Sequence, residues 1–154
     1  ALNQPVPNFT LPNQDKASTA LADYKGKNVI LYFYPKDDTP GCTLESCGFR
    51  DVLPQIEKLG GVVLGVSKDS PASHQKFIAK YDLNFPLLSD ESGEICTRFG
   101  VLQQKSMFGK KYMGIDRSTF LIDGQGILRR EWRSVSVMGH IPQVLSALKE
   151  IQGA

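Results

Sequence analysis

Val29-Ile30-Leu31-Tyr32-Phe33-Tyr34-Pro35-Lys36-Asp37-Asp38-Thr39-Pro40-Gly41-Cys42-Thr43-Leu44-Glu45-Ser46-Cys47 joins a strand signal, a breaker and a helix signal in one segment. Val29 to Tyr34 is apolar, β-branched or aromatic throughout, which suits a strand covered on both faces. Pro35, Pro40 and Gly41 interrupt it, and the apolar spacing of Leu44, Cys47, Val52, Ile56 and Leu59 is helical. The segment predicts a strand over 28–34, a turn, and a helix over 43–59 that Pro54 should kink or end early. Cys42 then lies at the helix N-terminus, where unpaired amides and the helix dipole favour a thiolate. An inert core cysteine is the competing reading, but a Thr-Pro-Gly turn is a poor core position.

Outward from this segment the elements alternate. Gly60-Gly61 stops the helix, and Val62 to Val66 reads as a second buried strand. Ser70 offers an N-cap with Pro71 at the first helical position, followed by Phe77, Ile78 and Tyr81. Asp90 should cap a short helix through Glu91, Ile95 and Phe99, ended by Gly100. Ser118 to Ile122 and Ile127 to Trp132 flank Asp123-Gly124, a tight-turn dipeptide. Ile141, Val144, Leu145, Leu148 and Ile151 mark a closing amphipathic helix. Residues 1–27, with Pro5, Pro7 and Pro12, read as an irregular or short-stranded extension, and Val101 to Asp116 as an inserted loop. This order predicts one α/β domain over 1–154 with a thioredoxin-like fold. Its central mixed sheet should pair the first two strands in parallel through a right-handed crossover, add the hairpin antiparallel, and carry helices on both faces.

Composition narrows the function. The 154 residues are 41% hydrophobic with a formal charge of +2, which fits one domain with a core. Lys105, Lys110, Lys111, Arg129 and Arg130 form no basic stripe, so nucleic-acid binding is not expected. No apolar run approaches the ~20 residues of a membrane span, and the N-terminus lacks the zones of a secretory signal. Three cysteines are too few for a secreted disulfide scaffold, and a reducing, cytoplasmic compartment is expected. His74 and His140 are remote from the cysteines in sequence, so no metal site is expected. His74 reads as a surface helix residue, His140 as a residue near a helix start, and Cys96 as a semi-buried spectator.

In an open α/β sheet, ligands bind beyond the carboxyl ends of the strands, where Cys42 lies. Residues five apart on an ideal helix stand roughly 8 to 9 Å apart and point about 140° apart, beyond disulfide reach. Cys42 and Cys47 therefore cannot bond while both are helical, unlike a Cys-x-x-Cys pair. A disulfide between them requires the first turns to unwind, and it follows naturally if Cys42 is first oxidised to a sulfenic acid. Peroxide reduction would also need charge stabilisation and donors that hold the O–O bond in line with sulfur. Thr39 can point its hydroxyl into the same turn. Arg117, just before the strand 118–122, reaches the same sheet edge if that strand runs antiparallel beside the first, and Arg50 is the weaker competitor. Glu45 reads mainly as a first-turn acid favoured by the helix dipole, with a contact to the arginine as the other reading.

The segment Pro35-Lys36-Asp37-Asp38-Thr39-Pro40-Gly41-Cys42 with Cys47 resembles the active-site signature of peroxiredoxins, most closely the bacterioferritin comigratory protein or peroxiredoxin Q subfamily. Phe49-Arg50-Asp51, Leu88-Ser89-Asp90 and Gly109 to Gly114 leading into Arg117 to Asp123 extend the resemblance over residues 3–152. It implies a peroxidatic Cys42, peroxide activation by Thr39 and Arg117, and a resolving Cys47. It further implies a hydroperoxide substrate, thioredoxin or less often glutaredoxin as reductant, a monomer, and no metal or organic cofactor. A thiol-disulfide oxidoreductase and a redox-sensing or holdase-like binding module are the competing readings.

Overall fold

Residues 2–152 are described in the structure, a computed structural model. Prolines cannot donate to a ladder, and the N-terminal extension forms short elements: an antiparallel pair, β1 (Thr10–Pro12) and β2 (Ser18–Ala20), a 3-10 helix at Leu21–Tyr24, and a single antiparallel bridge from Pro5 to Ile127. The apolar run makes β3 (Asn28–Phe33), and the next segments follow in the expected alternation: α1 (Pro40–Lys58), β4 (Gly61–Ser67) and α2 (Pro71–Tyr81). Then come β5 (Leu87–Ser89), α3 (Glu94–Arg98), β6 (Leu102–Met107), β7 (Lys110–Ile115), β8 (Ser118–Ile122), β9 (Leu128–Trp132) and α4 (His140–Gln152).

The main sheet has the order β5-β4-β3-β8-β9, with β3 parallel to β4 and antiparallel to β8. Strand side chains alternate between faces, so Ile30, Tyr32 and Tyr34 face one layer and Val29, Leu31 and Phe33 the other. Phe49 and Ile56 of α1, Phe77 of α2, and Val144 and Leu148 of α4 fill the first layer. The second holds Phe9, Leu11, Leu21, Ile95 of α3 and Ile115. Helices thus lie on both faces, but the three long ones share one, and the short α3 and the 3-10 helix at Leu21–Tyr24 lie on the other. Each fully buried side chain of this kind contributes about 1.5–3 kcal/mol. Between α1 and α4 the fit is close: a Cβ at Gly48 would stand 2.9 Å from Ile141 Cγ1.

Several local expectations change. Pro54 neither ends nor interrupts α1, which runs on to Lys58. The carbonyl that loses its helical donor to a proline is four residues back, and here the Arg50 oxygen accepts from Asn84 Nδ2 at 3.3 Å instead. Gly93, in the left-handed region, precedes α3 in place of Asp90. Asp90 still caps it from a distance, its carboxylate accepting from the Ile95 and Cys96 amides. Residues 102–115 are a β-hairpin rather than a loop, closed by Phe108 and Gly109, both with positive φ. The turn after β8 is wider than the dipeptide predicts: Asp123 pairs with Ile127 across three residues, and Gly126 takes the left-handed position. The short β5 adds a further parallel edge strand.

Candidate functional site

Thr39 is extended, φ −99° and ψ 154°, and Pro40 opens α1 at the position where its missing N–H is harmless. The Thr39 carbonyl accepts the Thr43 N–H at 2.8 Å. Among the described residues, neither the Gly41 nor the Cys42 amide pairs with a backbone carbonyl. Both donors belong to the first turn of α1, at the positive end of the helix dipole, and Cys42 itself is 1% exposed.

Register brings the arginine. Phe33, the last residue of β3, pairs with Ser118, the first of β8, so Arg117 stands beside the start of α1. Its Nη2 donates to Cys42 Sγ at 3.3 Å and its Nη1 to Glu45 Oε1 at 2.7 Å. Gly41 makes room for this approach, because a Cβ there would lie 3.0 Å from Nη2. Burial opposes the Arg117 charge, yet Glu45 and Cys42 together raise its pKa above the ordinary value.

Of the two readings of Glu45, the contact to the arginine holds, rather than that of a first-turn acid favoured by the helix dipole alone. Cys42, Glu45, Phe49, Leu53 and Ile56 recur at three- and four-residue steps and are all buried in α1. Glu45 has no exposed surface, and its Oε2 has no hydrogen-bond partner. Burial pushes its pKa up to about 7 against the pull of Arg117. Between pH about 4.5 and about 7 the folded chain consequently holds a proton that the unfolded chain has lost. Stability from this group is complete below that window and falls as pH rises through it, by a few kcal/mol. The stability of the parent protein minus that of Glu45→Gln, from urea unfolding at successive pH values, is expected to decline over the window; a pH-independent difference would contradict it.

The remaining predicted residues are less tightly gathered. The Thr39 hydroxyl donates to the Lys36 carbonyl at 2.9 Å. Cys47, also helical and half-buried, opens on a different hollow, lined by Asp38, Pro40, Thr43, Leu44 and Tyr81. Arg50 is directed away from Cys42, donating to the Tyr81 carbonyl and to Asp51. Cys96 is fully buried, and desolvation together with Asp90 raises its thiol pKa strongly. His140 does begin α4, where Thr119 Oγ1 lies 2.8 Å from its Nε2 and burial lowers its pKa to about 4. His74 departs from expectation: it is fully buried, because the cap at Ser70 turns it onto the same inward face as Phe77. Among the described residues, no helix is long and apolar enough to cross a membrane.

A buried thiol at a helix N-terminus, held by an arginine on a thioredoxin-like sheet, is the architecture of a thiol-dependent peroxidase. The AhpC/TSA family pattern matches residues 2–131, and the chain belongs to that family. It is 54% identical over 147 residues to the putative peroxiredoxin bcp of Coxiella burnetii, covering 96% of this chain and 97% of that protein. The peroxiredoxin Bcp of Bacillus subtilis is 47% identical over 150 residues, with 97% and 96% covered. Among solved structures, the Xanthomonas campestris bacterioferritin comigratory protein superposes with TM-score 0.89 at 43% identity, over 94% of this chain and 92% of that one. A Xylella fastidiosa PrxQ mutant gives TM-score 0.92 at 40% identity, over 97% and 96%. Within the family the chain is thus a Bcp/PrxQ peroxiredoxin, an oxidoreductase with peroxidase function.

Proposed function

We propose that the chain reduces hydrogen peroxide and organic hydroperoxides at Cys42, resolves the product with Cys47, and is recycled by thioredoxin. The carrying observation is Arg117, whose two terminal nitrogens contact Cys42 Sγ and Glu45 at 3.3 and 2.7 Å. A guanidinium so placed favours the thiolate and offers a donor to the oxygen that gains charge as the O–O bond breaks. The Cys42 thiolate attacks the distal oxygen, forming the S–O bond, and the other oxygen leaves as alkoxide or hydroxide and is protonated to alcohol or water. Thr39 gives its hydrogen to Lys36, so its oxygen lone pairs are available to accept from the hydroperoxide O–H. The sulfenic acid then condenses with the Cys47 thiol, releasing water, once the first turns of α1 unwind. A dithiol reductant of the thioredoxin type, or glutaredoxin, restores both thiols. The Xanthomonas relative is described for its alkyl peroxide reduction activity, in line with organic hydroperoxides as substrates. Three free cysteines suit a reducing cytoplasm, and the reading takes the chain as a monomer.

The test is steady-state consumption of hydrogen peroxide and of an alkyl hydroperoxide with thioredoxin, its reductase and NADPH, beside an insulin-reduction assay. Many turnovers of both peroxides with negligible insulin reduction are expected. Insulin reduction without peroxide consumption would point to a disulfide oxidoreductase, and a single turnover without recycling to a redox-sensing module.

A further inference from the structure

Beneath the loop that carries Thr39 lies a polar cluster that the chemistry above leaves unused. Asp37 and His74 are both buried, and His74 Nδ1 is 2.8 Å from Asp37 Oδ2. The Tyr34 hydroxyl donates to Asp37 Oδ1 at 2.5 Å, and the Ser73 hydroxyl to Oδ2 at 2.7 Å. His74 Nε2 faces the Leu88 carbonyl of β5 at 3.0 Å. That carbonyl only accepts, so Nε2 carries a hydrogen. Nδ1 faces a carboxylate already receiving two donors, so a further proton lies between ring and carboxylate. The pair is a buried histidine–aspartate hydrogen bond that fastens the loop to the sheet edge.

The same peptide unit carries the Lys36 carbonyl and the Asp37 N–H. Its N–H donates to Asp69 Oδ2 at 2.8 Å, and its carbonyl receives the Thr39 hydroxyl. With the plane pinned by Asp69 and the Asp37 side chain pinned by His74, the Thr39 hydroxyl has a fixed acceptor and its lone pairs a fixed direction. We infer that His74 is a positioning residue for the peroxide step, holding the Thr39 oxygen in place through Asp37. This rests on the reading of Thr39 given above.

A double-mutant cycle tests it on the reduced protein, with stopped-flow rates for hydrogen peroxide and, in parallel, alkylation of Cys42 by iodoacetamide. Gln at 74 reaches one of the two partners of the ring but not both. His74→Gln and Thr39→Val are each expected to slow peroxide reaction about tenfold, the scale of a misplaced group. Together they should be no slower than Thr39→Val alone within about twofold, because the two act through one atom. Alkylation, which needs the thiolate but no peroxide alignment, should stay within about twofold of the parent rate. Multiplicative losses in the double variant, or alkylation falling in step with peroxide reaction, would overturn the inference. An unaffected Thr39→Val would overturn the Thr39 reading and this one with it, whereas a normal Thr39→Val loss with multiplicative behaviour overturns only the role of His74. Should His74→Gln not fold, Ser73→Ala removes one donor to Asp37 from a half-buried site. Its expected loss, about threefold by the same misplacement argument, should vanish in the Thr39→Val background; persistence there would count against the proposal.

Discussion

Cys42→Ser is expected to lower peroxide turnover by about 10⁴-fold or more, the scale of removing a nucleophile. A serine hydroxyl is a much weaker nucleophile than a cysteine sulfur, and neither remaining cysteine replaces it. Cys47 opens on the Tyr81 hollow, and among the described residues no arginine nitrogen is hydrogen-bonded to its sulfur. Cys96 is sealed in the core with its thiol pKa raised by desolvation and Asp90. Steady-state assays with thioredoxin present measure the loss. Turnover surviving in Cys42→Ser would show that the chemistry resides elsewhere.

Arg117→Met should reduce the second-order rate of the reduced protein with hydrogen peroxide by about 10²- to 10³-fold, the range for removing one preorganised donor. It also strands Glu45, whose Oε1 loses its 2.7 Å partner while Oε2 already has none. A carboxyl so isolated takes up a proton rather than remain charged. Combining Arg117→Met with Glu45→Gln is therefore expected to recover much of the lost stability and none of the lost rate. Arg117→Lys should recover little of either, since one ammonium cannot span Cys42 and Glu45 as a two-pronged guanidinium does. Stopped-flow rates and urea midpoints on the same variants separate the effects. Rates that return along with stability would reduce Arg117 to a structural brace.

The parts of the fold written as local periodicity were legible in the sequence. β3 and β4 announce themselves as apolar runs, and Ser70-Pro71 fixes the start of α2. The approach of Arg117 to Cys42 is legible in the sequence because one strand pairing, β3 against β8, suffices to produce it. The β6–β7 hairpin was hidden because its strands carry glutamines and lysines without apolar alternation, and Phe108-Gly109 is not a residue pair that marks a tight turn. Pro54 misled for a different reason. Its penalty is local, while the donor that relieves it, Asn84, lies thirty-four residues from Arg50.

For Glu45 the less favoured reading, the arginine contact, holds, and His74 is buried where a surface position is expected, although the helical phase of both is written in the sequence. Glu45 shares a stripe with Cys42 and Phe49, as His74 does with Phe77 and Tyr81, and those are the stripes that face inward. Polar side chains are seldom buried without a partner. The partners that make burial tolerable, Arg117 and Asp37, come from other elements and emerge only from tertiary pairing.

The central claim is that two cysteines held apart by one helix exchange that arrangement for a disulfide after peroxide attack. Both lie within α1, five residues apart, so a bond between them requires the first turns of the helix to unwind. Peptide mapping of the reduced protein after one equivalent of hydrogen peroxide tests this most directly. A single intramolecular Cys42–Cys47 bridge is expected. A bridge that involves Cys96, or one that joins two chains, would contradict the account.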